Sequence, residues 1–300
     1  MEIDKLQLLI LSILEDSGAT TPVGQMLEKK NFKAYYVNLA KQDLDLVNSP
    51  NKLHIKNGEG ASKNRDRAKE VLAESIDEVI EVLEQQITEK YIFVVYSLGG
   101  GTGSGTGAFL ASVLAENPDK KVGLVVILPS MKESLQARIN TYEALAEITQ
   151  LKNSFGAIYL LNNNKREDKL SINRTFAHLF ESFVNIENAR SIRGVIDIAE
   201  QKTLFETSGV SMIHKVAQNE QTELLPVIND GIYAELEPNK RIKYAESIKE
   251  EQERVQKVME DDDICMDSNI NFLAKKVSVE KEPEKKLSAR ERLLASRNKK

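Results

Sequence analysis

The sequence has no tryptophan, one cysteine and three histidines in 300 residues, and each scarcity removes a class of protein. A single thiol, Cys265, excludes an intramolecular disulfide framework and fits a reducing cytoplasm. His54, His178 and His214 lie far apart, so a Cys/His zinc site has no support. Long apolar runs are missing too. The longest near the start, Leu6–Leu14, is followed by Glu15 and Asp16 and falls short of the roughly 20 residues that a membrane span needs. Glu2, Asp4 and Lys5 lack the positive balance of a signal peptide's first segment. Nor is there an excess of positive charge: 41 Lys and Arg against 46 Asp and Glu give a net charge of −5, which argues against whole-surface nucleic-acid binding. These absences together point to a cytoplasmic protein with no membrane partner.

Apolar residues make up 41% of the chain, enough for a real core. Leu6–Leu14, Phe32–Leu39, Tyr91–Leu98, Val122–Pro129 and the shorter Ala157–Leu161 read as strands. Their hydrophobicity is nearly continuous rather than alternating, which suits strands covered on both faces of a parallel sheet. Helix-length segments separate them. Arg65–Glu89 places Val71, Leu72, Ile76, Val79, Ile80, Leu83 and Ile87 on one stripe, and Ser104–Ala115 and Lys132–Leu151 are also helical in pattern. A further helix is expected over Asn173–Arg190, with Phe176, Leu179, Phe180, Phe183 and Val184 inward. Strands alternating with helices give an α/β doubly wound domain. Later on, Ile232–Leu236 and Ile242–Tyr244 are strand candidates and Ala245–Met259 is helix-prone.

The strand Tyr91–Leu98 runs into Gly99-Gly100-Gly101-Thr102-Gly103-Ser104-Gly105, with five glycines in seven residues, and a helix follows. In an open α/β sheet ligands bind beyond the carboxyl ends of the strands, where this loop must lie. Glycines let backbone approach a ligand closely, and their N–H groups with a helix N-terminus make an anion cradle for phosphates. Thr102 and Ser104 add hydroxyl donors. The common phosphate motifs do not fit. A GxGxxG register from Gly99 meets Ser104 at its sixth position, and no lysine follows the run as a Walker A motif requires. A nicotinamide dehydrogenase would need GxGxxG after the first strand, and Glu15–Pro22 supplies none.

The pattern that fits, GGGTG[ST]G, is matched at every position from Gly99 to Gly105, and on it the sequence resembles the tubulin/FtsZ family. The resemblance implies a parallel-sheet nucleotide-binding domain, a central helix and a reduced C-terminal α+β domain, with GTP phosphates wrapped by the glycine run. It further implies that acidic residues after the central helix complete a neighbouring subunit's site. Asp197-x-x-Glu200 in Gly194-Val195-Ile196-Asp197-Ile198-Ala199-Glu200 is similar to that arrangement, in the form of the TubZ-like branch of plasmid and phage proteins. Two carboxylates three apart at a helix start share one face and can orient a Mg²⁺-associated water towards the γ-phosphate. Helix capping is the other reading of both residues.

Other segments carry further roles by the same resemblance. Asn57-Gly58-Glu59-Gly60-Ala61-Ser62-Lys63 resembles the loop near the γ-phosphate, where Gly60 and Ala61 present N–H groups. Asn38 and Asp43 match the loop that approaches Mg²⁺ and the phosphates. Ile158–Arg166 resembles the base-side strand and loop, where Asn163 would read the guanine edge and Phe176 would stack on the base. A turn asparagine and a core phenylalanine are the bland alternatives.

One departure concerns the loop after the first strand, normally glycine-rich. Here Glu15-Asp16-Ser17-Gly18-Ala19-Thr20-Thr21-Pro22 offers Gly18 alone to the phosphates, beside two acidic groups that repel them unless a cation intervenes. The other is length. The division expected is a GTP-binding domain over 1–172, the central helix at 173–192, an acidic loop and reduced C-terminal domain at 193–280, and a basic tail at 281–300. That tail has eight Lys and Arg against three Glu. It reads as a solvated tail or as the contact for a DNA-bound adaptor, and not as a sequence-specific DNA reader. The expectation as a whole is a GTPase with GTP and Mg²⁺ that assembles head-to-tail into filaments for plasmid or phage DNA segregation. The alternative is a tubulin-like nucleotide binder that regulates another filament without hydrolysis.

Overall fold

The computed structural model describes residues 7–14, 20–164, 169–185, 198–218 and 221–228, with helical backbone also at 246, 249, 250 and 253. Gly18, Asp197, the strand candidates at 232–236 and 242–244, nearly all of 245–259 and the basic tail lie outside the described residues.

All five apolar runs form strands, and each is buried because neighbours pair with both its edges and helices cover both its faces. They are β1 (Leu8–Ile13), β2 (Lys33–Asn38), β4 (Tyr91–Ser97), β5 (Lys121–Leu128) and β6 (Ala157–Asn162), and a short β3 (Lys52–His54) adds an edge. The sheet order is β3-β2-β1-β4-β5-β6-β7-β8, where β7 is Gly209–Gln218 and β8 is Gln221–Ile228. Pairing is parallel from β3 to β7, and only β8 runs antiparallel, as a hairpin on β7. From β1 the chain winds outward through β2 and β3, then returns to place β4 on the other side of β1. The switch point of the sheet therefore lies between β1 and β4, and the glycine run leaves the carboxyl end of β4 there.

Period-two alternation sends side chains to two separate cores. Leu9, Leu11, Val94 and Val126 face α3 (Arg65–Gln86), α4 (Thr102–Leu114) and α5 (Leu135–Leu151). Ile10, Phe93, Val125 and Tyr159 face α1 (Thr20–Glu28), α6 (Lys169–Val184) and α7 (Ile198–Glu206). Small α2 (Lys41–Asp45) bridges β2 and β3. Helix α3 starts where its sequence signals it. Asn64 is the N-cap, its side chain accepting from Arg67 N–H at 3.0 Å, and the stripe Leu72, Ile76, Val79, Leu83 is buried.

Several boundaries differ from the sequence reading, two of them for a local reason. Thr20–Pro22, read as part of a loop, forms the first turn of α1, where proline lacks no needed bond. Helix α4 begins at Thr102, inside the glycine run, because packing on both sides offsets the roughly 1 kcal/mol that each helical glycine costs. Helix α6 begins at Lys169, four residues before Asn173.

The second core is aromatic at its centre. Phe180 is fully buried, with ring centroids 5.2 Å from Phe93, 5.4 Å from Phe176, 5.7 Å from Phe32 and from Tyr159, and 6.0 Å from Phe205. It holds α6 and α7 to the sheet at once. Phe180→Ala should lower the unfolding free energy by about 4 kcal/mol, measured by urea denaturation, through lost burial and the cavity left behind.

Candidate functional site

The strand-to-helix junction after β4 is buried from Ser97 to Gly105. Two glycines there have a demonstrable reason. A Cβ on Gly101 would sit 2.7 Å from Ala61 Cβ and 2.9 Å from Asn64 N, and one on Gly105 would sit 2.8 Å from the Arg65 carbonyl. The glycines let α4 press against the loop at 57–64 and the start of α3. The first intrahelical bond of α4 runs from Gly105 N–H to the Gly101 carbonyl at 3.0 Å. The N–H groups of Thr102 and Gly103 precede it, at the positive end of the helix dipole, which is the arrangement that receives phosphate.

Side chains from α3 and α5 hold the junction from behind. Asn140 Nδ2 donates to the carbonyls of Gly100 (2.8 Å), Lys63 (2.9 Å) and Gly99 (3.1 Å). Ser104 Oγ also donates to the Gly100 carbonyl, so this hydroxyl braces the loop itself. Arg65 reaches the Ser104 carbonyl through Nε (3.2 Å) and Nη2 (2.9 Å). The same guanidinium pairs with Glu143 at 2.7 Å and Glu147 at 2.5 Å, and Lys69 also pairs with Glu147. Burial alone would push the Arg65 guanidinium down, and the two carboxylates more than reverse it, holding it above its ordinary value. Asn140 and Arg65 have no counterpart among the residues picked from the sequence. Asn140 left one trace there, a carboxamide at an inward position of α5 between Ala137 and Ala144.

The neighbouring loops converge on the same end of the sheet. In the loop at 57–64, Gly60 has φ 98° and Asn57, Ser62 and Lys63 are left-handed at 63°, 46° and 59°. Ala61 is buried against Gly101. At the end of β2, fully buried Asn38 donates to Asp43 at 3.0 Å while its Oδ1 accepts from Leu39 N–H at 2.8 Å. Beyond β6, the loop is stapled to the one after β5: Asn164 accepts from Met131 N–H at 2.7 Å and donates to the Pro129 carbonyl. There Asn163 is 5% exposed and its Oδ1 is buried without a hydrogen-bond partner, an acceptor suited to an amide-like ligand edge. Phe176 is buried in the aromatic core, its ring 5.5 Å from Tyr159.

Glu200 lies elsewhere. It is exposed in the first turn of α7, and the adjacent Gln201 fixes that turn by donating to the last carbonyls of α6, Phe183 and Val184. The end of α7 is anchored at the amino end of β4, where Tyr91 hydroxyl donates to Glu206 at 2.7 Å. The glycine run follows the carboxyl end of the same strand, roughly 20 Å away at about 3.3 Å per residue. Within one chain α7 and the loops around the glycine run thus lie at opposite ends of the sheet. A cavity of about 300 Å³ lined by Glu116, Lys121, Ser154 and Glu206 opens at the amino ends as well, away from the glycine run.

The donor set fits a nucleoside triphosphate: N–H groups ahead of the first intrahelical bond of α4, glycine where backbone must come close, and an orphaned side-chain acceptor in the β6 loop. No group of three or more His, Cys, Asp or Glu able to hold a metal occurs among the described residues. A divalent ion here would be held chiefly by phosphate oxygens and water, as Mg²⁺ usually is, with Asp43 among the carboxylates that follow the strand ends.

Comparison with known proteins points the same way. Residues 14–170 match the profile of the Tubulin/FtsZ family, GTPase domain. The tubulin-like protein TubZ of Clostridium botulinum C phage is 30% identical over 216 residues, 70% of this chain and 60% of that relative. A solved structure of the phage c-st TubZ, with its C-terminal tail truncated, superposes with a TM-score of 0.64 at 27% identity, covering 72% of this chain and 71% of that one. A protofilament structure of TubZ from bacteriophage PhiKZ shares the fold at a TM-score of 0.65 and 17% identity, covering 88% and 96%.

Two outcomes follow from the anchoring contacts. Arg65→Met should destabilise the fold by about 3 kcal/mol in urea unfolding, at the low end for a broken buried pair because Glu143 is half in water. Glu206 is held below its ordinary value of 4.5, first by the Tyr91 hydroxyl and then by Lys90, against an opposing effect of burial. A depressed carboxylate stabilises the fold above its unfolded value and loses that contribution as pH falls through its folded value. The stability difference between wild type and Glu206→Gln, measured from pH 7 to pH 3, should therefore be constant above about pH 5 and shrink below the ordinary value.

Proposed function

The chain belongs to the tubulin/FtsZ family, and on that footing we propose that it is a GTPase whose active site is completed only when chains stack head-to-tail. The observation that carries this reading is the placement of the two halves on opposite ends of β4: the phosphate cradle beyond Ser97, and the acidic helix α7 anchored beside Tyr91. One chain cannot bring Glu200 to its own glycine run, whereas a copy stacked along the strand direction can. A contact of this heterologous kind repeats without closing and builds a filament.

In the proposed complex the phosphates of GTP lie on the N–H groups of the glycine run, Gly60 and Ala61 approach the γ-phosphate, and Asn163 reads the guanine edge. Mg²⁺, arriving with the nucleotide, would offset phosphate charge near Asp43. Asp197 and Glu200 of the next subunit orient the attacking water, so the protein contributes positioning and electrostatics rather than covalent chemistry. The aromatic contacts of Phe176 favour a supporting place beneath the base pocket. The proposed units are the GTP-binding domain at 1–172, the central helix at 173–192, the acidic loop with a reduced C-terminal part at 193–280, and the basic tail. The cargo proposed is plasmid or phage DNA, reached through a DNA-bound adaptor on that tail in a prokaryotic or phage-infected cytoplasm. This rests on the TubZ-like form of the acidic motif and the charge of residues 281–300.

The second reading, a nucleotide binder that does not hydrolyse, is favoured by Glu15 and Asp16 directly after β1, where negative charge opposes phosphate. Sedimentation and phosphate release with GTP separate the two. Wild type should pellet and release phosphate with a steep dependence on protein concentration, and Asp197→Ala or Glu200→Ala should pellet while releasing at least tenfold less. Mixing Asp197→Ala with Gly101→Ala, which blocks the cradle, should restore about a quarter of wild-type release, the share of junctions that combine an intact cradle with an intact acidic pair. Pelleting without release above background establishes the second reading, and neither pelleting nor release sinks the GTPase.

A further inference from the structure

The inward face of α5 is built from Ala137, Thr141, Ala144, Leu145 and Ile148, and the residue breaking this run of small and apolar side chains is Asn140, 1% exposed. Its carboxamide is fully occupied. Nδ2 lies within 3.1 Å of three carbonyls, those of Lys63, Gly99 and Gly100, and Oδ1 accepts from Gln136 Nε2 at 2.9 Å. The reverse orientation would set an amide oxygen against three carbonyl oxygens, so the surroundings dictate which edge faces the loops.

We infer that Asn140 is a positioning residue that aims the phosphate-binding N–H groups and ties the loop at 57–64 to the glycine run. A trans peptide is planar, with its N–H and C=O pointing opposite ways. Drawing the Gly99 and Gly100 carbonyls towards α5 therefore turns the N–H groups of Gly100 and Gly101 away from it. Gly100 is held twice, because Ser104 Oγ shares its carbonyl. The third carbonyl belongs to Lys63, which with Ser62 forms a left-handed pair that side chains rarely adopt. Only outside contacts keep such a pair in place. Asn140 supplies one, on a turn that the loop itself closes with a bond from Asn64 N–H to the Ala61 carbonyl at 2.7 Å. A single donor group thus governs the peptides of two loops that touch each other at Ala61 and Gly101.

The inference rests on the nucleotide reading, in which the loop at 57–64 serves the terminal phosphate and the glycine run serves all three. Loss of the donor then weakens GTP more than GDP. Isothermal titration of the full chain with GTPγS and with GDP tests this, using wild type, Asn140→Asp and Asn140→Ala. Aspartate keeps the shape and replaces the donor with an acceptor; alanine removes the group without adding charge and serves if the aspartate variant fails to fold. Each variant should bind GTPγS at least tenfold more weakly, lose less affinity for GDP, and so compress the preference between them. Thermal unfolding of the nucleotide-free proteins is measured alongside. A lowered melting temperature with the wild-type preference intact means a purely structural role and overturns the inference, as do unchanged affinities for both ligands. Wild type that binds neither nucleotide overturns the nucleotide reading itself, and this inference with it.

Discussion

A peptide group turns as a plane, so a loop that offers its N–H groups to a ligand must find partners for the carbonyls it turns inward. That constraint organises the ligand end of this molecule. At the junction after β4 the carbonyls of Gly99, Gly100 and Ser104 are buried, where an unpaired one would cost about 1–3 kcal/mol. Asn140, Ser104 and Arg65 accept the task. Glycine allows the loop to be this tight, but the polar side chains behind it decide which way its peptides face. Arg65 in turn is tolerable in the interior only because Glu143 and Glu147 neutralise it. The cradle thus draws α3 and α5 into one polar unit beneath the switch point of the sheet.

The parallel sheet sets the second condition. With strands β3 to β7 all running one way, every loop at their carboxyl ends belongs to the ligand side, and every helix crossing back ends on the other side. Helix α6 follows β6 on the ligand side and finishes at Val184, about 24 Å further on at 1.5 Å per residue. Helix α7 starts from that far end. The separation of cradle and acidic helix is therefore a consequence of sheet polarity and helix length, before any particular side chain is considered.

What the sequence made legible follows from the range of the interactions concerned. Strands β1, β2, β4, β5 and β6 are marked by their own apolar runs, and α3 by its stripe and the capping Asn64; these signals are local. Helix α1 opens with Thr20, Thr21 and Pro22, which read as a turn, and acquires its shape by packing Val23 and Leu27 on the sheet. The hairpin of β7 and β8 has no strong run of its own and is held by its ladder, in which Ser211 to Gln218 pair with Ile228 to Gln221. The glycine run was legible as a strand-to-helix junction because strand, loop and helix are contiguous. Its supports were not: Asn140 lies 40 residues from Gly100 and 77 from Lys63, and Arg65 lies 39 from Ser104. Nothing local distinguishes such residues from an ordinary helical asparagine or arginine.

The same physical device recurs at the other end. A helix leaves its last carbonyls without intrahelical donors, and at the end of α6 these belong to buried Phe183 and half-buried Val184. Gln201, 1% exposed, donates its carboxamide to the carbonyls of Phe183 and Val184 and so fixes the first turn of α7, the turn that carries Glu200. Two buried carboxamides therefore do equivalent work at opposite ends of the sheet, one behind the glycine run and one behind the start of α7. Each fixes a turn by donating to backbone carbonyls that would otherwise lack a partner. Because α6 and the sheet lie between them as packed, aromatic-cored structure, the two turns keep a fixed spacing and direction.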